Sequence, residues 1–127
     1  MSENQQQSVV LIAHEDETCR SQAAALLRAA GFEVVAVCDG GSARIVLRTG
    51  LVRVLLADVA LRAPTFYELC QYIAADQLST RVLIVSSVHS SSAYKRAPTE
   101  LYGADGIVEG HRLAEDLVAR VREMSGF

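Results

Sequence analysis

The sequence predicts a doubly wound α/β domain: a parallel five-stranded sheet, strand order 2-1-3-4-5, with helices on both faces. Three observations predict it. Short apolar runs recur along the chain, each bounded by turn residues, as strands buried on both faces require. Between them lie segments whose apolar residues fall at helical spacing. Strands that alternate with helices imply parallel units joined by right-handed crossovers. With 127 residues, the chain has the length of one domain and can bury a real core.

The elements follow in order. Residues 1–8 read as a flexible polar leader ahead of a domain over 9–124. Val9–Ala13 is the first strand, a β-branched run that ends in the acidic cluster His14-Glu15-Asp16-Glu17. Cys19, Ala23, Leu26, Leu27 and Ala30 mark the first helix, which Gly31 stops. Glu33–Val37 is the second strand. Asp39-Gly40-Gly41-Ser42 is a turn and cap, and a short helix through Ala43, Val46 and Leu47 closes at Gly50. Val52–Ala57 is the third strand, and it runs into Asp58. Thr65 and Glu68 have the form of a capping box for a helix through Phe66, Leu69, Cys70 and Ile73.

Val82–Val85 is the fourth strand, followed by Ser86 and Ser87. Tyr94, Ala97, Leu101 and Ala104 fit a fourth helix in which Pro98 sits in the first turn or makes a kink. Gly106–Val108 is a brief fifth strand, and Leu113, Leu117, Val121 and Met124 form a final amphipathic helix. Five strands and five helices in this alternation define a flavodoxin-like fold.

Composition narrows the function. The formal net charge of -3 gives no argument for nucleic acid or anionic lipid as a partner. No apolar run approaches the length of a membrane span, and the polar start lacks the build of a signal peptide. Cys19, Cys38 and Cys70 are an odd set without metal spacing and read as reduced thiols. Together these features predict a cytoplasmic protein. A nucleophile elbow, a Walker loop and a His-Glu-x-x-His run are all absent, which argues against a general hydrolase. The first strand leads into HEDE, where a flavin phosphate would be repelled.

Open α/β sheets bind ligands at the carboxyl ends of their strands. Residues 14–16, Asp58 and Ser86 follow the first, third and fourth strands, which lie side by side in the predicted order. Their side chains are expected to share one cleft. Asp58, in LLADVALRAP, is the carboxylate at the end of the central strand.

With these residues in place, the chain resembles a response-regulator receiver domain of bacterial two-component signalling, over essentially residues 9–124. Asp58 falls on the phospho-acceptor. Ser86, in VLIVSS, falls on the switch hydroxyl, and Gly103-Ala104-Asp105-Gly106 matches the lead into the last strand. The resemblance implies a Mg²⁺ ion held by Glu15, Asp16, Asp58 and the backbone carbonyl of Ala60. It also implies a sensor histidine kinase or phosphotransfer protein as phosphodonor and a downstream protein partner, and a signalling module rather than an enzyme. Phosphoryl transfer to a carboxylate needs charge neutralisation more than covalent assistance, which is why the family pattern is rich in charge.

The sequence departs from that pattern. Where the family has two acidic residues, spacing back from Gly31 gives His14 and Glu15. Glu15 can still bind a cation, His14 is a poor Mg²⁺ ligand, and Asp16 compensates only if the loop shifts. Gly110-His111 falls on the usual Lys-Pro pair, and a one-residue slip puts Glu109 there. The only lysine, Lys95, does not match. Losing that cation costs on the order of 2–4 kcal/mol in the transition state; Arg62 and Arg112 are candidates to replace it. Phe66 stands where a Gly is usual and Arg62 where a Pro is usual. The expected function is therefore a receiver with atypical or weak phosphorylation. The alternative is a pseudo-receiver that binds a partner without phosphorylation, using its last helix and the 89–104 segment. A third candidate is a metal site built from His14, His89 and His111, which all follow strands. Without function, Asp58 would serve as a turn residue, Glu15 and Asp16 would favour the helix dipole, and Phe66, Tyr67 and Tyr72 would pack or face a partner.

Overall fold

The computed structural model describes residues 9–58, 61–62, 64–76, 79–86 and 104–125; for Ser86, His111 and Ser125 it describes the backbone alone. The strands are β1 (Val9–Ala13), β2 (Glu33–Val37), β3 (Val52–Ala57), β4 (Arg81–Ser86) and β5 (Gly106–Glu109). The helices are α1 (Glu17–Ala29), α2 (Gly40–Leu47), α3 (Phe66–Ala75) and α4 (Leu113–Ser125), with a 3₁₀ turn at Gly110–Arg112. The five strands form one parallel sheet in the order β2-β1-β3-β4-β5. The leader at residues 1–8 and the helix expected across 89–104 fall outside the described residues, apart from the end of that segment at Ala104.

Alternation along each strand explains why the runs are apolar throughout. Val10 and Ile12 of β1 and Val54 and Leu56 of β3 pack with Ala23, Leu27, Leu113, Leu117 and Val121 of α1 and α4. Leu11 and Ala13, with Leu55 and Ala57, pack on the other face with Ala43, Leu47, Leu69 and Ile73 of α2 and α3. Both faces of the central strands are thus removed from water, which supplies the main driving force for the fold.

Each helix starts where a side chain can satisfy its free backbone donors. The Asp16 carboxylate accepts from the Cys19 amide at 3.0 Å, so α1 begins at Glu17, ahead of the apolar positions that announce it. Asp39 accepts from Ser42 N–H at 2.7 Å at the start of α2. Thr65 and Glu68 form both hydrogen bonds of the capping box on α3. Gly31 follows α1 at φ +97°, a left-handed conformation that favours glycine. β4 and β5 run further than their apolar cores, because Arg81 pairs with Val54 and Ser86 with Glu109 along the strand ladders.

Candidate functional site

The β1–β3 register builds the site. Ala13 pairs with Ala57, so the next residues, His14 and Asp58, leave the sheet side by side at its carboxyl edge. His14 N–H donates to Val37 O at 3.1 Å, which fixes the start of the β1–α1 loop against β2. Asp58 O accepts from Leu61 N–H at 3.0 Å, and Leu61 is buried, which anchors Leu61 beside the end of β3.

His14 and Asp58 are the buried polar side chains among the described residues, at 2% and 6% exposure. His14 Nε2 lies 3.4 Å from Asp58 Oδ2. The Asp16 backbone N–H donates to His14 Nδ1 at 3.1 Å. Because Nδ1 accepts, the ring hydrogen of the neutral imidazole sits on Nε2, facing Asp58. Among the described residues that Nε2 makes no hydrogen bond; it lies near the carboxylate without bonding to it.

The other loop residues are committed elsewhere. Glu15 is held by a two-pronged contact from Arg62: Nη2 to Oε1 at 3.1 Å and Nε to Oε2 at 3.3 Å. The hydrogen bond from the Arg62 side chain holds the Glu15 carboxyl below its ordinary range. The backbone of Arg62 is fixed as well, since Gly40 N–H donates to its carbonyl at 3.2 Å. The Asp16 carboxylate is used as the cap of α1. Arg112 is bound to Asp116 one turn along α4, at 2.9 Å. Arg62 and Arg112, the two candidates to replace the missing lysine, are therefore each engaged with another carboxylate.

Sequence reasoning missed Arg20. Its Nη1 donates to His14 O at 2.8 Å and to Glu15 O at 3.4 Å, tying the β1–α1 loop to α1. An arginine one turn inside a helix that follows an acidic cluster is a signal that could have found it.

Ser86 ends β4 with its backbone opposite Glu109, on the same edge as Asp58; its hydroxyl lies outside what is described. Ala60 and His89 also lie outside the described residues, and His111 is placed only as part of the 3₁₀ turn. Phe66 opens α3 and is buried in the core beside Leu69. Tyr67 is exposed, and Tyr72 lies under the Arg44 guanidinium, 5.2 Å from the ring centre.

A parallel sheet in this order, with a carboxylate closing its central strand, defines an α/β domain whose site lies at the carboxyl edge. The chain belongs to the response regulator receiver domain family, whose family model matches residues 10–122. It is 33% identical over 113 residues to the sensory transduction protein RegX3 of Mycolicibacterium smegmatis, covering 89% of this chain and 48% of that protein. The RegX3 of Mycobacterium tuberculosis is 32% identical over the same length. The chain thus spans about half the length of these relatives. Among solved structures, the receiver domain of the Francisella response regulator 1452 superposes with a TM-score of 0.81 at 19% identity, over 94% of this chain and 97% of that one. The chemotaxis response regulator CheY4 of Vibrio cholerae gives 0.73 at 22% identity, over 90% of this chain and 98% of that one. The chain is a receiver domain of the two-component response regulators, a signalling module.

Membership implies Mg²⁺, and the side chains at this edge do not fit it. Mg²⁺ takes near-octahedral oxygen ligation. Among the described residues, no three His, Cys, Asp or Glu side chains gather to hold an ion. The expected set of Glu15, Asp16 and Asp58 is not assembled: Glu15 is bound to Arg62, Asp16 caps α1, and His14 adjoins Asp58.

Proposed function

We propose that Asp58 is the phosphoryl acceptor of this receiver, that phosphorylation is weak, and that the output is a change in protein–protein contacts. The observation that carries this is the position of Asp58 at the carboxyl end of β3, with a polar neighbour from β1 at 3.4 Å. A carboxylate oxygen of Asp58 attacks the phosphorus of a phosphohistidine on a sensor kinase or phosphotransfer protein. The P–N bond breaks, its electron pair returns to the donor imidazole, and a mixed anhydride forms on Asp58. Ser86, at the end of the adjacent strand, supplies the switch hydroxyl, and a downstream protein reads the altered edge. The domain acts in the cytoplasm, where its kinase and partner meet it. No helix among the described residues is long and apolar enough to cross a membrane.

Weak phosphorylation follows from the charges. Receivers neutralise a developing phosphoryl charge with cations; here Arg62 and Arg112 are spent on Glu15 and Asp116. One missing contact of this kind costs on the order of 2–4 kcal/mol in the transition state. The same facts favour a second reading, in which the domain binds its partner unmodified.

Intact mass and peptide mapping after incubation with acetyl phosphate separate the two. Slow uptake of one phosphoryl group by the wild type, absent in Asp58→Asn, supports the acceptor. No adduct on either protein leaves the unmodified interaction module.

A further inference from the structure

From the geometry around Asp58 we infer that this acceptor cleft excludes Mg²⁺, because the imidazole of His14 occupies the place beside the carboxylate with its hydrogen-bearing nitrogen 3.4 Å from Oδ2. A Mg²⁺ bound to Asp58 would sit about 2.1 Å from a carboxylate oxygen. His14 Nε2 is 3.4 Å from Oδ2 of that carboxylate, and the side chain of His14 is 3% exposed. There is little room to move it aside.

The ring also cannot become a ligand in place. A metal needs the lone pair of a neutral imidazole nitrogen. Nδ1 is taken by the Asp16 N–H, so Nε2 carries the hydrogen. Shifting the hydrogen to Nδ1 would free Nε2 but set N–H against N–H at the first residue of the helix cap. Asp16 is doubly fixed there, since its carboxylate holds the Cys19 amide. A cation entering beside Asp58 would thus meet the positive end of an N–H dipole.

Two further groups act in the same direction. The Arg62 guanidinium neutralises Glu15, an acidic residue of the same loop. The Arg20 guanidinium occupies the backbone carbonyl oxygens of His14 and Glu15. The Glu15 carboxylate and the carbonyls of His14 and Glu15 are bound to arginine, one Asp16 carboxylate oxygen holds the Cys19 amide, and among the described residues His14 Nε2 is left as a donor without a hydrogen-bond partner. It is available to an oxygen added to Asp58. That last role rests on Asp58 being the acceptor; exclusion of the cation does not.

The test is a ¹H–¹⁵N NMR titration with MgCl₂ at constant ionic strength, on the wild type, His14→Asp and His14→Asn, with a thermal melt of each in Mg²⁺ and in EDTA. The wild type is expected to show no saturable shifts at residues 14–17 and 58, and the same melting temperature in both buffers. His14→Asp is expected to gain saturable shifts there and to melt higher in Mg²⁺, because a ligand that binds the native state stabilises it. His14→Asn offers an oxygen at little change in size, and keeps the test open if His14→Asp folds poorly. Adding Asp58→Asn to the responding variant should abolish its response. Saturable Mg²⁺ binding by the wild type at millimolar concentration would overturn the inference. So would a failure of both variants to gain a site, because His14 would then not be what keeps the cation out.

Discussion

Ala13 and Ala57 form the last pair of β1 and β3, apolar and fully buried. One residue further on, His14 and Asp58 occupy the same relation, nearly as buried, but as polar groups. The sheet interior follows the family architecture element by element. The carboxyl edge places a carboxylate at the end of β3 and a histidine from β1 beside it. Packing tolerates such a pair, since the interior is held by apolar surface on both faces, whereas ion binding at the edge depends on which atom each loop residue turns toward Asp58. The contrast teaches that fold and site chemistry are separately specified in this chain.

The interior should be the more sensitive to truncation. Leu55→Ala removes a fully buried side chain from the face toward α2 and α3, and should cost about 2–5 kcal/mol in chemical denaturation. A smaller loss would mean that this face is loosely packed. Gly40→Ala tests where interior and edge meet. A Cβ there would fall 2.0 Å from Pro64 O, so the β3–α3 loop would have to move off α2. About 1–3 kcal/mol of destabilisation is expected, with NMR shifts that spread to Arg62 and Leu61. Thr65→Ala removes the side-chain oxygen that accepts from the Glu68 amide, one of the two hydrogen bonds of the capping box on α3, and should cost about 1 kcal/mol.

The edge should respond in titration rather than in stability. Arg62→Ala should barely change the midpoint of unfolding, because Glu15 and Arg62 are solvent-exposed. The Glu15 carboxyl should instead return upward to its ordinary range when followed by ¹³C NMR. Its folded pKa is depressed by Arg62, so the contribution of the pair is present above the unfolded pKa. It fades as pH falls through the folded value, and wild type and Arg62→Ala should converge in acid. Smallest of all, thiol labelling at neutral pH should reach exposed Cys38 first. Burial pushes Cys70 up to about 12 and Cys19 up to about 11, leaving little thiolate on either.

Much of the fold was legible because burial on both faces writes itself into short apolar runs. The bounds of β1, β2 and β3 coincide with those runs. β4 and β5 were read short because Arg81, Ser86 and Glu109 join the sheet by backbone pairing, which leaves no apolar trace. The turn Gly110–Arg112 left none either. Asp58 was legible as a carboxylate at a strand end, and His14 as a poor ligand for a hard cation. The contact between them was not, since it arises from the β1–β3 register. The Glu15–Arg62 pair joins residues 47 apart, and no local pattern announces it. Asp16 had two uses open to it, cap and cation ligand, and only the path of the loop decides for the cap.

The central claim is that Asp58 takes a phosphoryl group without help from a divalent cation. The most direct measurement is the time course of the acetyl-phosphate adduct by intact mass, in excess EDTA and in excess Mg²⁺, for the wild type and Asp58→Asn. The account predicts a slow adduct on the wild type at the same rate in both buffers, and none on Asp58→Asn. An adduct that forms only with Mg²⁺, or one that persists in Asp58→Asn, would contradict it.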